Sequence, residues 1–343
     1  MNHNRKKCLG SLVLLELLLG FIFSSCHNPP ATHEVLDYNP HDLVVQTSDG
    51  AILLFPFQNE TFDGPDAGKR VGHNFFLTHF FIGNWTGNGT HDMIIKYANG
   101  DLEFFPYRME TFYVPGSGRK VGEGFNYTHY YVGNWTDNGT DDLIVRTSDG
   151  DMLLFPFEND TFVVPDAGKK VGKDWHYTHC LVGSWTNNGT HDMIIRKVNG
   201  DLYLYPFENK TFASGKKVGE NFHYTHYLVG NWTDNGSDDL IVRNANGDLY
   251  LYPFDNQTFD VPGAGKKVGE GFHYTHYFVG DWKNNGTDDL IVRNANGDLY
   301  LYPFDNQTFD VSGAGKKVGQ GFHYALYFVG QWTRDSIPVT PMF

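Results

Sequence analysis

A block of about fifty residues recurs six times along this chain, and no other feature constrains its fold as strongly. Successive copies of one tryptophan lie 50, 50, 47, 50 and 50 residues apart, and residues 239–282 are nearly identical to residues 289–332. A fixed period of this length is typical of repeat proteins, in which each unit is one supersecondary structure that packs on its neighbours. The repeated tryptophans are Trp85, Trp135, Trp185, Trp232, Trp282 and Trp332.

Each copy contains four short stretches with the character of β-strands, as the last two copies illustrate. Strand one corresponds to residues 277–282, strand two to residues 289–293 and strand three to residues 299–304. The Asn296-Gly297 pair between strands two and three favours a two-residue hairpin, because asparagine and glycine adopt positive φ at low cost. Strand four is predicted near residues 266–274, and no stretch shows a sustained helical periodicity.

The four-strand unit predicts an all-β fold, a six-bladed β-propeller of four-stranded blades that occupies residues 38–334. The chain enters at a strand two, residues 42–46, and leaves after a strand one, residues 326–332. The C-terminal strand is therefore expected to pair with the N-terminal blade and close the ring, which removes an open sheet edge. The alternative is an open β-solenoid, which would need distinct capping units at its ends.

The acidic composition and the few cysteines restrict the partners and the chemistry of the chain. The formal net charge is −14, and without a basic cluster to offset it a nucleic acid is not expected as a partner. Two of the three cysteines, Cys8 and Cys26, belong to the N-terminal segment, so no disulfide framework is expected. Cys180 replaces an aromatic residue of the sister copies, and we expect a small buried hydrophobic residue there rather than a nucleophile.

Residues 1–25 have the composition of an export signal. A basic start is followed by the apolar stretch 9–23 and then by Phe-Ser-Ser-Cys, which resembles a bacterial lipobox. That resemblance implies that Cys26 is lipidated and begins an outer-membrane or cell-surface lipoprotein. The alternative is an ordinary secretory signal that is cut nearby, and both interpretations export the protein. Residues 26–37 are expected to form a tether, and residues 335–343 a tail without an assigned function.

The polar loop between strands one and two carries the most specific motif of the repeat. One copy, residues 134–142, reads Asn-Trp-Thr-Asp-Asn-Gly-Thr-Asp-Asp and is followed by an apolar strand. This motif resembles the FG-GAP/VCBS repeat of integrin-α propellers and many bacterial surface proteins, and the resemblance spans residues 38–334. It implies a loop that binds Ca²⁺ through alternate residues, since Ca²⁺ takes about six to eight oxygen ligands. The implied ligands are Asn84, Asn88, Asp92, Asn134, Asn138, Asp142, Asn188, Asp192, Asn231, Asn235, Asp239, Asp281, Asn285 and Asp289.

These loops depart from the family pattern, because most of their first, third and fifth positions are neutral. Each loop keeps the final Asp, but one has Lys283 where a ligand is expected, and the sixth breaks off after Trp332. Few anionic ligands imply weak Ca²⁺ binding. The alternative is that Asn and Thr side chains hydrogen-bond the loop backbone and take the place of the ion. The loop tryptophan is expected to be buried, and sugar stacking is the alternative role.

A Thr-His pair precedes strand one in five of the six copies. We expect these histidines to form an incomplete ring at one level of the propeller, where they could bind a metal, an anion or sugar hydroxyls. The alternative is a structural role, such as linking neighbouring blades. The ring histidines are His79, His129, His179, His226 and His276, and a second set, His176, His223, His273 and His323, lies three residues earlier.

The repetition of polar residues argues against an active site, which needs unlike groups around one reacting centre. The sequence contains no Ser-His-Asp set, phosphate loop or zinc-ligand spacing, so a non-enzymatic, monomeric binding protein is expected. The repeats are also similar to those of a mushroom lectin that binds amino sugars. This resemblance implies a multivalent, surface-anchored lectin or adhesin for glycans or host cell-surface glycoproteins. The alternatives are a protein-binding scaffold of the integrin type and, with less support, a propeller polysaccharide lyase.

Overall fold

The computed structural model describes residues 41–333 except 64–66, 76–78, 113–117, 164–167, 256, 260–264 and 310–314. In these residues the regular elements are β-strands, and six antiparallel four-stranded sheets form the blades of a β-propeller. The predicted fold class and blade number are therefore confirmed. No helix in the described ranges is long and apolar enough to cross a bilayer. The signal segment, Cys26, the tether and the tail lie outside the described residues.

We name the strands A to D from the propeller axis outward and give their bounds for blades 1 to 6 in order. Strand A is Leu326–Gly330, His79–Gly83, His129–Gly133, His179–Gly183, His226–Gly230 and His276–Gly280. Strand B is Asp42–Gln46, Asp92–Lys96, Asp142–Arg146, Asp192–Arg196, Asp239–Arg243 and Asp289–Arg293. Strand C is Ile52–Phe55, Leu102–Phe105, Met152–Phe155, Leu202–Tyr205, Leu249–Tyr252 and Leu299–Tyr302. Strand D is Lys69–Gly72, Arg119–Gly122, Lys169–Gly172, Lys216–Gly219, Lys266–Gly269 and Lys316–Gly319.

The pairing inside a blade follows one scheme, in which A pairs with B, B with C and C with D. In blade 6, His276 lies opposite Arg293 and Gly280 lies opposite Asp289, so strand A begins where strand B ends. Strand A of one blade approaches strand A of the next, as in blades 4 and 5 and in blades 5 and 6. Strand A therefore surrounds the axis, and strand D is the outermost strand.

Three predicted strands are shorter than the sequence suggests, each for a local reason. Strand C of blade 6 ends at Tyr302 rather than at residue 304, because Pro303 has no N–H to extend the ladder and Phe304 begins a separate short strand. Strand A of blade 6 ends at Gly280, because Trp282 already belongs to the loop and donates its N–H to the Gly280 carbonyl. Strand D of blade 5 ends at Gly269, where the sequence predicts a longer strand. The chain turns there through Gly271, whose φ of +71° is a conformation that glycine adopts without steric cost.

The ring is closed by pairing between the two ends of the described chain. Leu326–Gly330 pairs antiparallel with Asp42–Gln46, with Leu43 opposite Val329 and Val45 opposite Tyr327. The last strand thus becomes the innermost strand of blade 1. This confirms the closure predicted from the sequence, in which the chain enters the repeat at a strand two and leaves it after a strand one. Because closure gives every blade two neighbours, it leaves no blade face uncovered within the described ring.

The hydrophobic core consists of layers between neighbouring blades. One layer combines Leu181 and Trp185 of blade 4 with Tyr227 of blade 5. All six repeated tryptophans are buried, five at 1% exposure or less and Trp332 at 3%. No ring face of these tryptophans is open to a sugar, so the stacking alternative is wrong and the predicted burial is confirmed. Cys180 is also buried, as expected, and burial raises the pKa of its thiol.

A small hairpin that follows strand C in each blade is absent from the sequence prediction, and we call it the rim hairpin. It docks on strand D of the preceding blade: Phe112 of blade 2 donates its N–H to the Val71 carbonyl of blade 1 at 2.8 Å. The rim hairpin therefore occupies groups that would otherwise form an open edge. Its short strands are Phe157–Glu158 with Thr161–Phe162, Phe207–Glu208 with Thr211–Phe212, and Phe304–Asp305 with Thr308–Phe309; elsewhere it is reduced to single bridges.

The rim hairpin of blade 2 contains a residue that its turn disfavours. Met109 has a φ of +51° and is 91% exposed, whereas the equivalent positions of blades 1, 3 and 4 hold Asn59, Asn159 and Asn209. A left-handed conformation costs most L-residues roughly 1–2 kcal/mol, and asparagine tolerates it better. We expect Met109→Asn to raise the free energy of unfolding by about 0.5–1 kcal/mol in urea denaturation.

The matched control for Met109→Asn is the reverse change in blade 3, Asn159→Met. It should lower the free energy of unfolding by a similar amount, because the turn geometry is the same. Equal stabilities of the two variants and the parent would contradict this account of the turn.

Candidate functional site

Every strand A runs in the same direction between the two ends of the propeller. Residues at the start of strand A and residues at its end therefore lie at opposite ends, and the two ends carry different side chains. We call the end with the loops between strands A and B the loop end. The opposite end, where strand A starts and strand B stops, is the Thr-His end. In blade 2, Asp92 lies beside Gly83 at the loop end, and His79 lies beside Lys96 at the Thr-His end. The candidate calcium ligands and the candidate histidines therefore occupy separate regions.

The final aspartate of each loop is a buried hydrogen-bond acceptor. Oδ2 of Asp142 accepts from the backbone N–H groups of Trp135 and Thr136 at 3.2 and 2.9 Å, and from Oγ1 of Thr136 at 2.9 Å. Its Oδ1 accepts from the backbone N–H of Phe157 at 2.8 Å. The carboxylate therefore joins the loop to the segment after strand C. Equivalent bonds are made by Asp92, Asp192, Asp239 and Asp289.

Burial raises the pKa of these carboxyl groups even though N–H donors surround them. The pKa rises to about 7 for Asp142 and Asp289 and to about 6 for Asp92, Asp192 and Asp239. Removal from water is the main cause, and the hydrogen bonds from the loop lower the pKa only in part. The hydrogen bonds thus do not fully replace the water that each carboxylate loses.

The asparagines of the loop also bond to neighbouring backbone groups. At the fifth position, Oδ1 of Asn138 accepts from the N–H of Thr140 at 2.9 Å. At the first position, Nδ2 of Asn134 donates to the carbonyl of Gly189 in the next blade at 3.2 Å. Asn88, Asn188, Asn235 and Asn285 repeat the first pattern, and Asn84 and Asn231 repeat the second.

The loops hold ligand types that suit Ca²⁺, and many of their oxygens already face donors, whereas Oδ1 of Asn134 and Oδ1 of Asn231 are buried without a hydrogen-bond partner. Asp281 accepts from the N–H groups of Asn285 and Gly286 at 2.9 and 3.1 Å, and Lys283 bonds to Asp305 at 3.4 Å. Among the described residues, no group of three or more His, Cys, Asp or Glu side chains is arranged to hold a metal ion. An ion would have to displace hydrogen bonds in each loop, which favours the hydrogen-bonded alternative, while Ca²⁺ binding stays a prediction.

The sixth loop, which breaks off in the sequence, is completed across the ring closure. Oδ2 of Asp42 accepts from the N–H groups of Trp332 and Thr333 at 2.9 and 2.7 Å, and from Oγ1 of Thr333 at 3.0 Å. Asp42 begins strand B of blade 1 and so takes the role that Asp142 has in blade 3. A search along the chain misses this loop because its two parts are separated by 290 residues.

The residue before the final aspartate joins neighbouring loops, and the sequence analysis does not single it out. Asp141 donates its N–H to the Asn84 carbonyl at 3.0 Å, and its Oδ2 accepts the Asn84 N–H at 2.7 Å. Gly83 has no room for a side chain, because a Cβ would lie 2.8 Å from that Oδ2. The sequence does contain a signal that could have identified this position, since all six copies have Asp or His there. These buried residues are His41, His91, Asp141, His191, Asp238 and Asp288.

The candidate histidines lie at the Thr-His end and contact the next blade. His179 packs against Tyr227 and His226 packs against Tyr277, each with ring centroids 4.9 Å apart. These contacts support the linking role, and ligand binding by the histidines stays a prediction. Related ring contacts join His79 with Tyr130, His129 with Tyr177, and His276 with Tyr327.

Burial and a nearby cation keep His179 and His226 neutral at pH 7. The pKa of His179 and of His226 falls to about 4, mainly through burial, and the positive charges of Arg196 and Arg243 lower it further. Each arginine stands directly opposite its histidine across strands A and B. A histidine beside a fixed positive charge is a poor ligand for a metal cation.

The last residue of strand B forms a further column that the sequence analysis does not single out. Arg243 donates from Nη1 to Oγ1 of Thr225 at 3.1 Å, from Nη2 to Nδ1 of His273 at 2.9 Å, and from Nε to the Phe272 carbonyl. One arginine thus connects the Thr-His pair to the second histidine set. Arg196 makes the same bonds with Thr178 and His223, and Arg293 makes them with Thr275 and His323.

The comparison with known proteins adds no finer assignment. No protein-family profile and no curated protein matches this chain. Among solved structures, the chain is similar to the C-terminal WD40 domain of Sif2, at 15% identity over 80% of this chain and 68% of that chain, with a TM-score of 0.37. It is also similar to the V. cholerae biofilm matrix protein Bap1, at 10% identity over 84% of this chain and 41% of that chain, with a TM-score of 0.30. Similarities this distant carry no argument about what the chain binds.

The donor-only surroundings of the final aspartate predict that its amide isostere destabilises the fold. In Asp142→Asn the side-chain NH₂ must face N–H or O–H donors, so at least one buried donor loses its acceptor. Such a loss costs about 1–3 kcal/mol. We expect urea denaturation at pH 8, where the parent carboxyl group is ionised, to show this decrease in the free energy of unfolding.

Asp137→Asn is the control for Asp142→Asn. Asp137 is exposed in the same loop, and the equivalent positions of two other loops already carry Asn187 and Asn284. This variant should unfold within about 0.5 kcal/mol of the parent, as exposed substitutions usually do. If Asp142→Asn were equally neutral, the acceptor role of Asp142 would be wrong.

Proposed function

We propose that this chain is an exported, non-enzymatic binding protein, a multivalent lectin or adhesin that recognises glycans at a cell surface. The observation that carries the proposal is the recurrence of the same polar residues at equivalent positions of the Thr-His end, as in Thr225, His226 and Arg243 of blade 5. Equivalent sites multiply a weak affinity when the ligand is itself repetitive, as surface glycans are. Repetition does not supply the unlike groups around one centre that catalysis needs.

The surroundings of the second histidine set also suit a sugar. His223 is exposed and is followed by the half-buried Tyr224, whose hydroxyl lies 2.7 Å from that of Tyr252. The ring of Tyr224 also lies 6.4 Å from that of Tyr250. Tyrosine rings next to hydrogen-bonding groups offer the combination of apolar faces and polar edges that carbohydrate ligands use.

A protein-binding scaffold of the integrin type is less well supported by the surface. A docking face for another protein often contains a contiguous apolar patch. Among the described residues, the large exposed apolar side chains are Met109, Val163 and Val198, which belong to three different blades. Scattered single residues of this kind are ordinary for a soluble surface. We therefore propose a monomer whose partners are glycans or glycoproteins, without a nucleic-acid partner.

A glycan array tests the proposed function directly. We expect the protein without its signal segment to bind a restricted set of immobilised glycans, and to bind dense presentations of a glycan far better than sparse ones. The density dependence separates multivalent recognition from a single site. Binding to a cell-surface protein after enzymatic removal of its glycans, together with a blank array, would replace the lectin proposal by the scaffold alternative.

We also propose that Cys26 anchors the protein to a bacterial outer membrane or cell surface, as the lipobox-like segment indicates. Several acyl chains on one cysteine give stable anchoring, whereas one chain does not. Cys26→Ser should move the protein from the membrane fraction to the soluble exported fraction in a bacterial host. A Cys26→Ser protein that stays in the membrane fraction would refute the lipid anchor.

Weak Ca²⁺ binding by the loops is proposed as an accessory property. A ligand that binds only the folded state raises the melting temperature once its concentration approaches its dissociation constant, and further as the concentration increases. We expect Ca²⁺ at a few millimolar to raise the melting temperature of the parent and Mg²⁺ to have a smaller effect, because Mg²⁺ demands a stricter geometry. No shift with Ca²⁺ would show that the hydrogen bonds of Asp142 and its equivalents replace the ion.

A further inference from the structure

The Thr-His end contains two columns of histidines whose proton positions are set in opposite ways. We call His179, His226 and His276 the inner histidines, and His223, His273 and His323 the outer histidines. In blade 5, Oγ1 of Thr225 lies 2.9 Å from the Arg243 carbonyl, 3.1 Å from Nη1 of Arg243 and 3.0 Å from Nδ1 of His226. These three contacts determine which atom of His226 carries the proton.

The hydroxyl of Thr225 has one hydrogen and two lone pairs. The carbonyl of Arg243 can only accept, so the hydroxyl hydrogen points to it. The guanidinium of Arg243 can only donate, so it uses one lone pair of the hydroxyl. The remaining lone pair accepts from His226, which therefore carries its proton on Nδ1. Because the ring is neutral at pH 7, Nε2 of His226 is a hydrogen-bond acceptor.

The outer histidine has the opposite arrangement. Nη2 of Arg243 donates to Nδ1 of His273 at 2.9 Å, and an arginine cannot accept. Nδ1 of His273 is therefore an acceptor, and its proton lies on Nε2. His273 is exposed and His226 is half-buried, and within the described residues Nε2 of His226 has no hydrogen-bond partner. One arginine thus fixes an acceptor on the inner ring and a donor on the outer ring.

The complete arrangement occurs in three consecutive blades. In blade 4, the corresponding hydrogen-bond distances are 2.7 Å from Arg196 to Thr178, 3.1 Å from His179 to Thr178 and 2.9 Å from Arg196 to His223. In blade 3, Arg146 makes the equivalent bonds to the Trp175 carbonyl at 3.0 Å and to Thr128 at 3.4 Å, but it makes no hydrogen bond to His176. Blades 1 and 2 have Gln46 and Lys96 in place of the arginine, and blade 6 repeats blade 4 with Thr275, His276, Arg293 and His323.

We propose that blades 4 and 5 each carry one binding site for a neutral, hydroxyl-bearing ligand, a sugar residue, at the inner and outer histidines of the blade; in blade 6, His276 is engaged in a further interaction. The proposal rests on the proposed function and gives its sites a number and a chemistry. A hydroxyl group both donates and accepts, so sugar hydroxyls can donate to Nε2 of the inner histidine and accept from Nε2–H of the outer histidine. The inner histidine offers an acceptor and the outer histidine offers a donor. A polyol has both kinds of partner group, and so it matches the two histidines better than a cation or an anion does.

Metal ions and anions are the ligands that this arrangement disfavours. A metal ion needs a lone pair from each histidine, but the outer histidine presents N–H and the intervening arginine repels a cation. An anion such as sulfate would meet the lone pair of the inner histidine. The arginine itself is buried and already donates to a carbonyl, a hydroxyl and an imidazole in blade 5.

The tautomers are tested by two-bond ¹H–¹⁵N spectra of the histidine side chains at pH 7. We expect His179 and His226 to show a protonated Nδ1, and His223 and His273 a protonated Nε2. Thr225→Val removes the hydroxyl but keeps the shape, so His226 alone should lose its preference for a protonated Nδ1, with the other histidine signals unchanged. A protonated Nε2 on His226 in the parent would overturn the proposal.

The ligand class is tested on the same signals with N-acetylglucosamine, galactose, Zn²⁺ and sulfate as probes. We expect a neutral sugar to shift Nε2 of His226, with two sites per chain, and Zn²⁺ and sulfate to leave this signal in place. His226→Phe keeps a ring against Tyr277 but removes the acceptor, and it should reduce the number of sites from two to one. His129→Phe is the matched control, because blade 3 lacks the arginine bond to an outer histidine, and it should leave two sites.

The outcomes separate this inference from the proposed function. If the parent binds glycans on the array and His226→Phe binds them with unchanged stoichiometry, the sites lie elsewhere and only this inference fails. If neither the array nor the sugar titration shows binding, the proposed function fails and its sites fail with it. A shift of Nε2 of His226 by Zn²⁺ or sulfate would overturn the ligand class, whatever the array shows.

Discussion

The pairing of Leu326–Gly330 with Asp42–Gln46 is the interaction on which the rest of the structure depends. Each hydrophobic layer lies between two blades, and the layer between blades 6 and 1 contains Tyr327 and Val329 of the closing strand together with Trp282. Without that strand, this layer would face water along its whole inner side, with the loss of burial that drives folding. The same strand delivers Trp332 and Thr333 to Asp42, so one pairing completes both the core and the last loop.

At the loop end, side chains of the motif supply hydrogen-bond partners for most of the backbone of each tight turn. In blade 3 the carboxylate of Asp142 collects the backbone donors of the loop, and Asn138 and Asn134 bond to the loop and to the next blade. Burial raises the pKa of these carboxyl groups to about 6 or 7, which shows that the bonds compensate only part of the loss of water. A loop of this kind is poised between an ion site and a hydrogen-bonded turn, and its neutral residues favour the turn.

The Thr-His end depends on arginines that serve structure and surface chemistry together. Arg243 ties strand A, through Thr225, to the segment after strand D, through Phe272 and His273. A buried guanidinium with partners of this kind holds each in a fixed orientation, because all its N–H groups can only donate. The orientation of the histidines therefore follows from the fold rather than from a ligand. This preorganisation lowers the cost of binding for any molecule that matches it.

The sequence by itself determined the repeat, the all-β class, the number of blades and the closure, because a period of four strands leaves few ways to bury both faces of each sheet. It also indicated the buried tryptophans and the loop aspartates. Only the tertiary structure decided which residues of different blades meet. Asp141 reaches Asn84, Phe112 reaches Val71, and Arg243 joins Thr225 to His273. Such contacts depend on how neighbouring blades are oriented around the axis, and local sequence patterns carry no information about that orientation.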